Sequence, residues 1–508
     1  MQLNDPRLLK NLCYINGQWL PAKSGQSIRV INPANGETVG EVPDMGGQEA
    51  REAVDAAYAA LPEWSAQTAQ ERSRILRRWF DLMMEYQNDL AMILTMEQGK
   101  PLAEAKGEIA YGASYIEWFA EEAKRIYGDT IPAVSADQRV QVIRQPVGVC
   151  AAITPWNFPN AMITRKVAPA LAAGCTFVIR PASKTPLSAL AIIELAERAG
   201  ILKGVLNIVT GSSRDIGGVL TQDTRVRKFS FTGSTETGRK LMAQCAGSVK
   251  KISLELGGNA PFIVLDDADI DEAVKGAVAS KFRNAGQTCV CANRFYVQDS
   301  VYDEFIGKFT GAVQKLKVGN GWEDGTDIGP LIDEEAVKKV KEFIDDAQQK
   351  GGKLLCGGGS DGLFMQPAVL RDATQDMKFA KEEIFGPLAP VFRFSRDEEA
   401  VKFANDTEFG LAAYLYSRDI GRIARTQEAL EYGMVAVNTG GLSNVAAPFG
   451  GIKQSGIGRE GSKYGMDDYL EMKYIVTAGV GREAWQAKIR PSENMIFRRP
   501  LSIQTLNL

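Results

Sequence analysis

The chain has 508 residues, 45% of them hydrophobic and 24% charged, with 59 Lys plus Arg against 62 Asp plus Glu and a formal charge of −3. That balance leaves no basic excess for nucleic acid, so none is expected as a partner. The sequence contains no histidine, which excludes Ser-His-Asp and Cys-His-Asn nucleophiles, histidine-held zinc or haem, and phosphohistidine chemistry. Any acid, base or nucleophile has to be Cys, Glu, Asp, Lys or Tyr.

At roughly 150 residues per domain the length predicts about three structural units. The seven cysteines, Cys13, Cys150, Cys175, Cys245, Cys289, Cys291 and Cys356, are scattered and form neither a disulfide framework nor a CxxC metal spacing. No metal is expected. The N-terminal MQLNDPRLLKNLCYING lacks the basic start and apolar run of a signal peptide, and no apolar stretch reaches the ~20 residues of a membrane span. A reducing cytoplasm is the expected home, with no membrane partner.

In chain order, CYINGQWL and SIRVINPANGETVGEVP predict two hairpins turning at Asn16-Gly17 and Asn35-Gly36, since Asn-Gly supplies the positive φ of a tight turn. From about Gly47 to Tyr127 the pattern is helical. Val54, Ala57, Tyr58 and Leu61 make one apolar stripe, and Ile75, Phe80, Leu82, Met83 and Tyr86 the next. From Arg144 to Asp267 short β-branched runs alternate with helical stretches, the pattern of a parallel sheet wrapped by helices. A second α/β block runs to about Phe449. No low-complexity linker separates the blocks, so a broad shared interface with a cleft is expected. The last residues, after Gly481, are more basic and aperiodic: a loose tail, or an arm docking on a partner subunit.

Four windows carry chemistry. In CAAITPWNFPNAMITRK a strand ends at Thr154-Pro155, and Asn157 either donates to a developing oxyanion or stabilises the turn. In FSFTGSTETGRK a strand, a Gly-rich turn from Gly233 to Gly238 and a helix start make an anion-binding arrangement; it is neither GxGxxG nor a Walker A loop, because Arg239 and Lys240 stand where Lys and Ser/Thr are required. In KISLELGGNAPFIV, Glu255 ends an apolar strand; burial would raise it towards general-base range, unless it pairs with a Lys or Arg. In KFRNAGQTCVCANRF, Cys289 follows a helix with Ile270, Val274, Val278 and Phe282 on one stripe and Gly286 as its stop. A thiolate is the strongest nucleophile open to a histidine-free protein if positive charge, helix dipoles or backbone amides lower its pKa; otherwise Cys289 is a small buried hydrophobe.

ITPWNFP at 153–159, FTGST at 231–235, LELGG at 254–258, GQTC at 286–289, EEIFGP at 382–387 and PFGGIKQSGIGRE at 448–460 occur together and in order. In these motifs the chain resembles the aldehyde dehydrogenase superfamily from about residue 11 to 480. SKFRNAGQTCVCANR and REGSKYGMDDYLEMKY look most like its succinate-semialdehyde dehydrogenase branch. The resemblance implies an α/β fold with a Rossmann-like cofactor domain (1–126 and 149–258), an α/β catalytic domain (259–469) and a small β oligomerisation element (127–148 and 470–480). It leaves 481–508 as an extension of unknown role, and it implies self-association as a dimer or tetramer.

By the same resemblance Cys289 attacks the aldehyde carbon, Asn157 and the Cys289 backbone N–H hold the oxyanion, hydride leaves for the nicotinamide, and Glu255 activates the water that hydrolyses the thioester. Lys166 matches a lysine that assists proton handling or the cofactor, or is structural. Trp156, Asn157, Arg180, Ser183, Gly233, Ser234, Leu256, Glu383 and Phe385 are implied to line the cofactor site. Ser183 stands where NAD-preferring relatives often carry an acid, and Arg180 replaces the usual lysine; together these favour NADP⁺ over NAD⁺, with both used. Arg165, Arg283 and Ser443 match positions that hold a substrate carboxylate, so the expected substrate is an anionic semialdehyde: succinic semialdehyde first, glutarate semialdehyde or a sulfonated aldehyde such as sulfolactaldehyde as alternatives. Cys291 is a candidate redox switch for Cys289. Acyl release to coenzyme A is disfavoured by the presence of Glu255, and a non-catalytic nucleotide binder by the complete set of nucleophile, base and oxyanion donor.

Overall fold

The structure is a computed structural model that describes residues 2–480; the extension 481–508 lies outside the described residues. The first hairpin pairs β1 (Cys13–Ile15) with β2 (Gln18–Leu20), and both turn residues, Asn16 and Gly17, adopt left-handed backbone at φ 51° and 75°. The second, β3 (Ser27–Ile31) with β4 (Thr38–Pro43), does not turn on Asn35-Gly36 alone. Its connection spans 32–37: Asn32 takes the Gly36 N–H on its carbonyl and the Ala34 N–H on Oδ1, and only Gly36 is left-handed.

Four helices follow: α1 (Gly47–Ala66), α2 (Ala69–Glu85), α3 (Gln87–Gln98) and α4 (Leu102–Glu122). α2 opens on a capping box, Thr68 with Glu71, and α3 stops at left-handed Gly99. The buried stripe of α2 differs from the expected one: Leu76, Trp79 and Met83 are buried, while Ile75, Phe80, Leu82 and Tyr86 are only half-covered. Trp79 sets that rotation because its indole N–H donates to the Ile192 carbonyl, 3.1 Å away in the interior. On α1, Tyr58 is exposed rather than part of the stripe.

By contacts the chain divides into two compact units, Met1–Arg125 with Pro146–Glu471, and Ile126–Gln145 with the chain from Met472. The smaller contains β5 (Asp129–Ile131) and β6 (Arg139–Pro146), joined by β22 (Leu470–Thr477) in the order β22-β6-β5.

The larger unit holds both main sheets. β7 (Val149–Ile153), α5 (Ala161–Ala173), β8 (Thr176–Arg180), α6 (Leu187–Ala199), β9 (Leu206–Ile208), α7 (Ser213–Gln222), β10 (Val226–Thr232), α8 (Thr235–Ala246) and β11 (Lys251–Glu255) alternate as the sequence pattern requires. The parallel order is β9-β8-β7-β10-β11, with β1 and β2 added antiparallel at one edge. β7 and β8 are buried along their whole length, the mark of strands covered on both faces. The chain leaves β7 towards one side of the sheet and β10 towards the other, so the carboxyl ends of these neighbours frame a switch point, where open α/β sheets take ligands.

β12 (Ala260–Val264) starts the second sheet, with α9 (Ile270–Phe282) and β13 (Ala292–Gln298) after it. β14 (Lys353–Cys356), β17 (Ala368–Ala373), β18 (Leu388–Phe394), β19 (Ala412–Tyr416) and β20 (Met434–Val437) complete it, and β15 (Ser360–Asp361) with β16 (Phe364–Met365) forms a separate short hairpin. The order is β14-β17-β18-β13-β12-β19-β20, parallel except at β14. The segment 259–469 does not stay in this sheet: β21 (Gly456–Ile457) returns to the first and pairs antiparallel with the end of β11, Glu255 opposite Gly456. Among the described residues no helix is long and apolar enough to cross a membrane.

Candidate active site

Three strand ends and two loops converge on a cavity of about 360 Å³. From the first sheet come Trp156 and Asn157 after β7, Gly233 and Ser234 after β10, and Glu255 and Leu256 at the end of β11; the loop after α9 supplies Cys289, and Glu383 and Phe385 approach from before β18. Residues from five of the six sequence motifs therefore line one space, while Arg180, Ser183 and the 448–460 motif are not among its lining residues.

α9 ends at Phe282, four residues before the expected stop at Gly286. The chain then makes a turn in which Asn284, Ala285 and Gly286 all have positive φ, 51°, 54° and 75°. A side chain at 286 would collide with the Gly386 carbonyl at 2.3 Å, so glycine is required there, although not as a helix cap. The turn delivers Cys289, half-buried, to the cavity.

The surroundings of the thiol favour its protonated form. Burial pushes it up to about 12; Arg165 opposes this, but Glu255 and Glu383 add negative charge. Glu255 is 4% exposed, its Oε2 has no hydrogen-bond partner among the described residues, and burial together with the neighbouring Glu460 raises it to about 8. An added Cβ at Gly450 would lie 2.9 Å from Glu255 Oε1, so the GG of the 448–460 motif gives that carboxylate room.

Asn157 is buried, and its amide donates to the Gln287 carbonyl at 3.0 Å while its Oδ1 accepts the Phe158 N–H. One amide hydrogen is thereby committed to the nucleophile loop and the other is left over. Lys166 does not line the cavity: it donates to Thr232 Oγ1 at 2.7 Å and pairs with Glu460. Arg165 pairs with the other oxygen of Glu460 at 2.7 Å and lies 4.0 Å from the Phe449 ring. The carboxylate that faces Arg165 thus belongs to the protein, and no clamp of two arginines around one cavity forms. Arg283 is exposed, without an ion pair among the described residues, and shares a small cavity with Ser443, Thr288, Val290 and Tyr414. Cys291 is buried and free, its thiol donating to the Lys281 carbonyl at 3.1 Å.

Glu460 is the residue the sequence reading did not assign. Burial works against its charge, yet Lys166 and Arg165 hold it below its ordinary value, and it sets the field at Glu255. The available signal was its place as the last residue of PFGGIKQSGIGRE.

The residues also fit a dinucleotide. Among the described residues Arg180, 7% exposed, bonds only Ser183 Oγ (2.7 Å) and the Gly211 carbonyl (2.8 Å) and has no partner for its Nε; burial alone lowers it to about 10. A buried guanidinium with no carboxylate among the described residues calls for an anion. At Gly233 a Cβ would stand 2.4 Å from the Phe231 ring, so the backbone there stays bare at the start of α8, which Ser234 caps. Trp156 and Phe385 meet edge to face, 5.6 Å between centroids, as one apolar wall. Glu383 takes the Gly258 N–H at 3.2 Å, and burial raises it to about 7.

The model of the aldehyde dehydrogenase family matches residues 19–475. The chain is 64% identical to a glutarate-semialdehyde dehydrogenase of Pseudomonas putida over 476 residues, covering 94% of this chain and 99% of that one. It is also 64% identical, over 478 residues with the same coverage, to the succinate-semialdehyde dehydrogenase [NADP(+)] of Escherichia coli. Identity is 61% to a 3-sulfolactaldehyde dehydrogenase of Pseudomonas putida, over 95% of this chain and 100% of that one. A crystal structure described as an E. coli NADP dependent enzyme superposes with a TM-score of 0.93 at 63% identity, covering 94% of this chain and all of the other. The chain belongs to the aldehyde dehydrogenase family.

Proposed function

We propose that this protein oxidises aldehydes bearing an anionic group at the far end, with succinic semialdehyde as the first candidate, to carboxylic acids, using NADP⁺ in preference to NAD⁺. The observation that carries the substrate class is Arg283: an exposed guanidinium without an ion pair among the described residues, sharing with Ser443 a cavity bounded by Thr288 and Val290, on either side of the nucleophile. A terminal carboxylate or sulfonate satisfies it. The similar proteins named for glutarate semialdehyde, succinate semialdehyde and 3-sulfolactaldehyde all act on aldehydes of this kind.

Cys289 adds to the aldehyde carbon as its thiol proton leaves. Burial raises both the thiol and Glu255, so the thiol keeps its proton until the C–S bond forms; the proton then leaves to solvent, and Glu255 stays available as the base for the thioester. The free amide hydrogen of Asn157 and the Cys289 backbone N–H hold the oxyanion of the thiohemiacetal, and no arginine does. Trp156, Arg180, Ser183, Gly233, Ser234, Leu256, Glu383 and Phe385 hold the dinucleotide, Arg180 and Ser183 its 2′-phosphate and Glu383 a ribose. When bound, the dinucleotide supplies the hydride acceptor. Glu255, deprotonated, then takes a proton from the water that attacks the thioester, and the carboxylic acid leaves.

Self-association as a dimer or tetramer is part of this reading: in the smaller unit, Met472, Tyr474 and Val476 on β22 are 74%, 66% and 44% exposed, an apolar row on a strand that a second copy would cover. Sedimentation of wild type as a dimer or tetramer, and of Met472→Glu as a smaller species, is the expected result.

The substrate class is tested by kcat/KM for succinic, glutaric, sulfonated and uncharged aldehydes with each cofactor. Arg283→Ala is expected to cost anionic aldehydes about 10- to 100-fold, the value of a charge-assisted contact, and to leave uncharged ones within threefold. Equal losses for both sets would remove the anion-site reading.

A further inference from the structure

Next to Asn157, two main-chain carbonyls tie the oxyanion loop to the nucleophile loop through a buried side chain that the mechanism does not use. Asn284 is 2% exposed and left-handed at φ 51°. Its Nδ2 donates to the Asn157 carbonyl at 3.1 Å and to the Gln287 carbonyl at 3.3 Å. The Gln287 carbonyl is the same oxygen that accepts the Asn157 side-chain amide. Asn284 and Asn157 thus bond reciprocally through one carbonyl from each loop.

The orientation of the Asn284 amide is fixed from behind. Gln98 Nε2 donates to its Oδ1 at 2.9 Å, and the reverse orientation would set that oxygen against two carbonyls. Glu104 takes its backbone N–H at 2.9 Å, which anchors a left-handed turn that also places Ala285 at positive φ, a conformation unfavourable for a residue other than glycine. Lys100 provides the second hold on Asn157: its ammonium donates to the Asn157 carbonyl at 2.8 Å and pairs with Glu108 at 2.5 Å.

We infer that Asn284 is a positioning residue for the oxyanion donor, fixing the Asn157 amide relative to Cys289 by bonding both loops at once. The inference rests on the reading of Asn157 as that donor. Asn284 is not among the residues lining the cavity, so its part in the reaction is to position Asn157. A donor that has drifted by a fraction of an ångström still binds the ground state but no longer meets the oxyanion, so the loss falls on kcat and not on KM.

The test is a double-mutant cycle. Asn284→Asp keeps shape, left-handed tolerance and the Oδ1 acceptor, but loses both donors. It is expected to lower kcat about 10- to 100-fold in the wild-type background, with KM for aldehyde and cofactor within threefold, and to lower it less than threefold further when added to Asn157→Ala. Equal losses in the two backgrounds, or a loss confined to KM, overturn the inference. If Asn157→Ala alone leaves kcat intact, the oxyanion reading fails, and that is visible separately from the cycle. Should Asn284→Asp not fold, Gln98→Glu, which removes the donor that orients the Asn284 amide, is measured in the same two backgrounds. It is expected to lower kcat about three- to tenfold with wild-type Asn157 and under twofold with Asn157→Ala; parallel losses overturn the inference as before.

Discussion

Glu255 carries one carboxylate oxygen that finds no partner in the interior, and that isolation is what suits it to receive a proton. As a base it works only when ionised, so with its pKa near 8 the rate of acyl release is expected to rise with pH and level off above that value; steady-state kcat against pH checks this. Glu255→Gln is expected to flatten the profile, to slow turnover by about 10²–10⁴, and to leave a first-turnover burst of reduced cofactor equal to the number of sites. The same shift has a stability consequence. The folded carboxyl titrates near 8 and the unfolded one in the ordinary range, so between the two the native state holds the extra proton and this group lowers stability as pH rises. The Tm of Glu255→Gln is therefore expected to gain on wild type between pH 5 and pH 8. At this scale the identity of the reacting groups is legible in the sequence, because Cys289, Glu255 and Asn157 sit in short motifs. Their protonation is not. The thiol's rise comes first from burial and then from carboxylates brought in from β11 and from the loop before β18, and the Arg165–Glu460 pair joins residues nearly 300 positions apart.

At the scale of elements, two buried carboxylates from the helical region cap helices of the first sheet. Glu108 takes the N–H groups of Asn160 and Ala161 at the start of α5, at 3.0 and 3.2 Å. Glu97 takes those of Leu187 and Ser188 at the start of α6, both at 2.7 Å. Such caps satisfy donors that a helix cannot satisfy itself, and at Glu97 burial outweighs them and raises the carboxyl to about 8. Glu97→Ala is expected to cost about 2–5 kcal/mol by leaving two buried N–H groups unpaired, read as a lower urea midpoint with an unchanged slope, while kcat/KM stays within twofold. The helices themselves were legible from periodicity. Their rotation was not, because Trp79 turns α2 through a hydrogen bond to Ile192 that no local pattern encodes. The long caps escape sequence reading for a related reason: Glu97 and Leu187 are 90 positions apart, and a Glu near a helix end looks like any solvated acid. The β-turns and the alternation of strand and helix from Arg144 onwards are local, and there sequence and structure agree apart from the wider turn at 32–37.

At the scale of the larger unit, the cavity belongs to neither sheet alone. Trp156, Gly233 and Leu256 come from the carboxyl ends of the first sheet, and Glu383, Phe385 and Cys289 from loops flanking strands of the second. A dinucleotide that spans them binds only when both sheets are in place, so it stabilises the two together, by about 2.7 kcal/mol at a hundredfold excess over Kd. The phosphate-dependent share of that stabilisation is assigned to Arg180, whose guanidinium is buried at the end of β8 without a carboxylate among the described residues. Two consequences of removing it oppose each other: loss of a 2′-phosphate contact weakens NADP⁺, whereas relief of an uncompensated buried charge stabilises the ligand-free protein. Arg180→Met is therefore expected to melt at or above the wild-type temperature without ligand, to lose most of the upward shift caused by NADP⁺, and to retain the shift caused by NAD⁺. Thermal melts with each dinucleotide at matched concentration separate these effects. A variant whose NADP⁺ shift survives intact would show that Arg180 faces another anion, and one that loses both shifts equally would place it against a part shared by the two cofactors.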